Sequence, residues 1–154
     1  MTRDMATAVA DPTPDALALY RDCDVLDLHI DSYIWTRAVG YDLHRRNGPG
    51  PFGGKWLGQV DLPRVIDAGL DGTTWSITTN PLRSAEARRD TFFKNLAELE
   101  EILDAYDGVS RFRNVAEYRA ARKAGRHAAC LAIQGGNAID HDLDDIERLR
   151  DSAV

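Results

Sequence analysis

The run Asp27-Leu28-His29-Ile30-Asp31 places three side chains of cation-binding type at alternate positions. In an extended strand, residues two apart point to the same side. Asp27, His29 and Asp31 then share one face, and Leu26, Leu28 and Ile30 the other. An imidazole nitrogen and a carboxylate oxygen are donors that zinc and similar divalent ions accept. A charge on a buried-looking strand is costly unless it is paired or bound to metal. A polar cluster satisfied by hydrogen bonds alone has equal weight, and the strand by itself does not decide between the two.

Other reactive residues carry less. His44 lies in a loop and is read as mostly solvated, with an approach to substrate as the lesser alternative. His127, just before a strand, and His141, before a helix, are expected at the surface. Asp140 is a plausible cap for the last helix. Cys130 sits in an apolar run, where burial keeps a thiol protonated and inert. No Gly-x-Ser-x-Gly elbow occurs, so serine-hydrolase chemistry has no support. The adjacent Arg45 and Arg46 are read as a solvated pair in a glycine-rich stretch.

The elements that must position these groups follow from punctuation and period. Thr13 caps a short helix carrying Leu17, Leu19 and Tyr20. Residues 24–30 read as a strand, and residues 36–60 as a long irregular segment broken by Asn47-Gly48-Pro49-Gly50-Pro51 and Gly53-Gly54. Asp61 or Leu62-Pro63 opens a short helix that Gly69 or Gly72 closes. Residues 72–79 are β-branched and aromatic, a second strand. Phe92, Leu96, Leu99, Leu103 and Tyr106 mark one face of a long helix ended by Gly108. Asn114 caps another helix, which Gly125 stops, with Arg119, Arg122 and Lys123 in its last turn. Residues 128–134 are a third, apolar strand, and a last helix runs from near Asp142 toward Arg150. Alternating β and α units predict a parallel sheet. No Gly-x-Gly-x-x-Gly follows the first strand, which weighs against a dinucleotide fold.

The chain has 154 residues, a net charge of −6 and a pI near 5.1. That charge, with no basic stripe, argues against nucleic acid. No run approaches the roughly 18 apolar residues that span a bilayer, and Met1 to Pro14 has no apolar core of a secretory signal. Two cysteines make no disulfide framework, so a cytoplasmic location is expected.

DVLDLHIDSYIW resembles the opening strand of the renal (membrane) dipeptidase family of zinc peptidases, an Asp-x-His-x-Asp stretch followed shortly by tryptophan. Asp61-Leu62-Pro63-Arg64 with Gly69 and Gly72, then Trp75-Ser76-Ile77, resemble the family's next segments in order. Ile133-Gln134-Gly135-Gly136-Asn137-Ala138-Ile139-Asp140 resembles its third-strand Glu-Gly-Gly motif. The resemblance implies a (β/α)8 TIM-like barrel of the metal-dependent hydrolase type, here as an N-terminal part with about three strands. It divides the chain into a leader and short helix over residues 1–23 and a partial barrel domain over 24–154. At about 250 residues for a usual barrel, the chain is short, and the fragment is expected to be inactive alone. The resemblance further implies one or two Zn2+ ions, with His29, Asp31 and the position of Gln134 as metal ligands. It implies a dipeptide or related small amide as substrate; a homodimer is the expected assembly.

One position departs from the family. The residue expected to bridge two ions is glutamate, and here it is Gln134. Two divalent ions about 3.5–4 Å apart repel by on the order of 15–20 kcal/mol at an effective dielectric of about 20. A carboxylate offsets much of that and offers two oxygens, whereas an amide offers one and no charge. The departure predicts a single ion or an altered activity. Its extreme is a barrel relative that binds a ligand without hydrolysing it.

Overall fold

The computed structural model describes residues 11–48, 60–139 and 144–151. Helix α1 (Pro14–Asp22) begins where Thr13 Oγ1 accepts a hydrogen bond from Ala16 N at 3.2 Å, with proline at its first position. None of its residues is buried, and Leu19 stays 65% exposed, so α1 lies on the outside of the fold. Strand β1 (Leu26–Ile30) leads directly into helix α2 (Ser32–Val39). This helix occupies the start of the segment read from sequence as irregular. It ends at Gly40, whose φ of 67° is the left-handed conformation that closes helices at little cost to glycine.

Helix α3 (Leu62–Asp67) is capped by Asp61, which accepts from Arg64 N at 3.0 Å. Strand β2 (Gly72–Thr78) follows, then helix α4 (Ala85–Asp104), strand β3 (Val109–Arg111) and helix α5 (Val115–Lys123). Strand β4 (His127–Gln134), a 3-10 turn over Gly136–Ala138 and helix α6 (Asp144–Asp151) complete the order.

All strand pairs are parallel, in the spatial order β1-β2-β4-β3. The three strands expected from sequence are consecutive neighbours, as a barrel segment requires. The fourth, β3, was not anticipated. It pairs only with the first part of β4, Val109 opposite His127 through Arg111 opposite Ala129.

One face of the sheet makes the core. Trp75 and Ile77 of β2 and Ala129 and Leu131 of β4 are buried in one cluster with Phe92, Leu96, Leu99 and Leu103 of α4. Each fully buried Leu or Phe contributes about 1.5–3 kcal/mol, so the α4 stripe read from its spacing is the main anchor of the helical layer. The opposite face carries Thr74, Ser76 and Thr78 alongside their register partners Cys130, Ala132 and Gln134.

Strand β1 departs from strict alternation. Asp27 lies opposite Thr73 but Ile30 lies opposite Trp75, so β1 holds one extra residue between those pairs. Of the three leucine and isoleucine side chains assigned to one apolar face, Ile30 alone is buried, and Leu28 is 72% exposed. The N-terminal end of the sheet is tied by charge. Arg122 of α5 pairs with Asp24 at 3.1 Å and with Asp71, and Asp71 Oδ2 accepts from Val25 N at 2.7 Å. No helix among the described residues is long and apolar enough to cross a membrane.

Candidate functional site

At the opposite, C-terminal end of the strands, β1 delivers His29 and Asp31. His29 Nε2 lies 3.2 Å from Asp31 Oδ2. The backbone N–H of His29 donates to Asp27 Oδ1 at 2.9 Å, so the Asp27 carboxylate fixes the chain locally as it leaves the sheet. On its other side, His29 Nδ1 lies 3.3 Å from Ser76 Oγ of β2.

Asp31 holds the N-cap position of α2 but makes no capping hydrogen bond with its side chain. Aspartate at an N-cap ordinarily accepts from the first turn; here the carboxylate turns to His29 instead. Its second oxygen, Oδ1, is buried and has no hydrogen-bond partner. A buried carboxylate oxygen left unpaired is costly. One imidazole nitrogen, one adjacent carboxylate oxygen and one unsatisfied carboxylate oxygen make a donor set that fits a divalent cation. A cavity of about 270 Å³ opens beside them, walled by Asp27, His29, Asp31, Ser32, Trp35 and Val60.

Gln134 ends β4, opposite Thr78, and its side chain is exposed. Residues two apart on a strand share a face, so Gln134 lies on the face of Thr78 and Ser76, the face from which Ser76 meets His29. The sheet thus brings His29, Asp31 and Gln134 to one end, with β2 standing between β1 and β4. Beyond Gln134 the chain turns at Gly135, whose φ is 83°. Arg88 Nε of α4 then donates to Asn137 O at 2.6 Å and pins the turn. Among the described residues, no group of three His, Cys, Asp or Glu side chains comes together as a metal site.

The other histidines divide. His127, expected at the surface, is buried at 5% exposure. Its Nδ1–H donates to Leu70 O at 2.8 Å, and its Nε2 accepts from the Thr73 hydroxyl at 2.8 Å. Burial pushes its pKa down and keeps it neutral. The sequence misled because its position opens β4 under the helical layer. His44 is exposed, but its Nε2–H donates to Ile102 O at 2.6 Å and its ring meets Tyr106 edge-on. Arg46 pairs with Asp67. Burial raises the Cys130 thiol, as expected of an inert group. Asp140 and His141 fall outside the described residues.

Polar residues gathered at the C-terminal ends of parallel strands, backed by helices, are the arrangement of a β/α-barrel segment. A family model described as membrane dipeptidase (Peptidase family M19) matches residues 14–154. The chain belongs to that family. The chain resembles the solved dipeptidase AC, a metallopeptidase of the same family, at 21% identity and a TM-score of 0.62, over 82% of this chain and 41% of that one. It resembles a metallopeptidase from Rhodobacter sphaeroides, bound to a phosphinate mimic of the dipeptide L-Ala-D-Ala. That match has 20% identity and a TM-score of 0.63, over 82% of this chain and 42% of that one. The probable dipeptidase PvdM from Pseudomonas aeruginosa aligns at 13% identity and a TM-score of 0.65, over 92% of this chain and 37% of its own. These likenesses establish the barrel fold, of which the chain spans about two-fifths of each relative's length. No curated protein sequence matches the chain.

Proposed function

We propose that the intact protein is a metal-dependent hydrolase of dipeptides or related small amides, with His29 and Asp31 as zinc ligands and Gln134 beside them. The observation that carries this reading is the Asp31 carboxylate, with one oxygen 3.2 Å from His29 Nε2 and the other buried and unpaired. A divalent ion there would polarise a substrate carbonyl and lower the pKa of bound water toward about 7. His29 supplies a neutral nitrogen and Asp31 the charge. Trp35 and Val60 line the cavity beside these groups. Membership of a metallopeptidase family supports metal dependence, and the dipeptide mimic held by the Rhodobacter sphaeroides relative supports the substrate class. Both cysteines are free, which suits the cytoplasmic location we propose, with a homodimer as the assembly.

Gln134 limits the metal count. Without a bridging carboxylate the repulsion between two ions is poorly offset, so this site is read as holding one. Elemental analysis after dialysis against zinc tests it. One ion per chain is expected, lost in His29→Ala and in Asp31→Ala, with Gln134→Glu taking up more. Zinc retained equally by His29→Ala would sink the assignment. Gln134 also favours a second reading, a barrel relative that binds without hydrolysis. Binding of a phosphinate dipeptide mimic by the intact protein, with no turnover of the dipeptide itself, would select it.

A further inference from the structure

We infer that Ser76 is a positioning residue for His29: its hydroxyl holds the imidazole so that Nε2 faces the cation position, whichever ring nitrogen carries the proton. This rests on the metal reading above. Ser76 is 2% exposed, in the middle of β2, and its Oγ lies 3.3 Å from His29 Nδ1. The His29 side chain is 53% exposed, so Ser76 grips the ring from its protected side. The opposite nitrogen, Nε2, is 3.2 Å from Asp31 Oδ2.

The proton positions follow from what each group can do. A carboxylate only accepts, so the neutral tautomer that fits this contact without a cation carries its proton on Nε2, directed at Asp31. Nδ1 is then a bare acceptor, and the Ser76 O–H donates to it. Were Nε2 to hold a cation, the neutral ring would carry its proton on Nδ1, exchanged through solvent. Nδ1–H would then donate to Ser76 Oγ. A hydroxyl serves both states by rotating, whereas a carbonyl or carboxylate at this position would serve only the second. The ring therefore keeps its orientation as its partner changes, which is the work of groups that stand behind a metal ligand. Neither the period of β2 nor its composition distinguishes Ser76 from the threonines around it; the contact spans 47 residues of sequence.

The test uses the intact protein, zinc, and four forms: wild type, Ser76→Ala, and the isosteric pair Ser76→Thr and Ser76→Val. Zinc affinity, read by competition with a chromogenic chelator, should fall 10–100-fold in Ser76→Ala and Ser76→Val and stay near wild type in Ser76→Thr. The pair keeps the test decisive if alanine unfolds the strand, because threonine and valine differ only by the hydroxyl. Nitrogen-15 spectra of the His29 ring should place the proton on Nε2 without metal and on Nδ1 with zinc. Equal affinity in the Thr and Val forms, or a zinc-loaded ring protonated on Nε2, would overturn the assignment. Zinc binding indifferent to His29→Ala would overturn the metal reading instead. The metal-free spectra then decide Ser76 alone: a mixed tautomer in Ser76→Val upholds the contact, and an unchanged spectrum removes it.

Discussion

Arg64 Nε donates to Asp61 Oδ2 at 2.8 Å across a single turn of α3, and the carboxylate it meets is completely buried. The same carboxylate caps the helix through Arg64 N and accepts from Asn47 N at 3.0 Å. Arg64 also reaches the buried Tyr41 hydroxyl at 2.7 Å, so one charged pair joins α3 to the segment that follows α2. Removing one partner of a buried pair leaves the other charge stranded, at a cost of about 3–5 kcal/mol. Asp61→Ala is therefore expected to lower the unfolding free energy by about that amount in urea melts. A loss under about 1 kcal/mol would mean that water replaces the network.

The same residue sets an acid limit. Burial works to raise the Asp61 carboxyl, but hydrogen bonds from Asn47 and Arg64 outweigh it and hold the group below its ordinary value. A depressed carboxylate stabilises the fold fully above its unfolded pKa, about 3.9, and progressively less as pH falls toward its folded value. Wild-type stability should thus drop below about pH 4, and Asp61→Asn should flatten that part of the profile. An identical acid slope in the two proteins would assign the effect elsewhere.

His127 predicts a second pH dependence at a higher range. Its pKa is lowered by burial, so the unfolded chain binds a proton that the folded chain refuses. Stability is then complete above the unfolded value of about 6.5 and declines as pH falls from there toward the folded value. His127→Ala should remove this slope and cost about 2–4 kcal/mol at neutral pH, because Thr73 and Leu70 O lose their partner and a cavity forms. Calorimetric melts from pH 5 to pH 8 would read it. A slope that survives the substitution would acquit His127.

Catalysis by the 154-residue chain alone is expected to be absent. The chain covers 41% and 42% of two relatives that fold as barrels, and its described residues bring together no three His, Cys, Asp or Glu ligands. Dipeptide assays with zinc, manganese or cobalt would check it. Metal-dependent turnover abolished by His29→Ala would show that a much smaller site suffices.

The strands that bear the site were legible because their composition and period agree with their tertiary role. Gly72–Thr78 is rich in β-branched and aromatic residues, and the α4 stripe of Phe92, Leu96, Leu99 and Leu103 keeps a helical spacing along its length. Helix α2 was not legible, because Tyr33, Ile34, Trp35, Thr36 and Val39 are weak helix formers; packing of the buried Tyr33 overrides them. Strand β3 has three residues between two strong helix signals, too few for any period. At the site, spacing indicated His29 and Asp31, and family likeness indicated Gln134. The unpaired Asp31 oxygen and the Ser76 contact depend on distant parts of the chain folding together, which no local pattern records.

One of the charge clusters that bind the fold sits at the end of the sheet where Arg122 meets Asp24 and Asp71. The exposed Gln134 and the half-open His29 sit at the other. Physical separation of this kind decouples two selective pressures. Residues at the open end can be exchanged without touching the Arg122 network at the closed end.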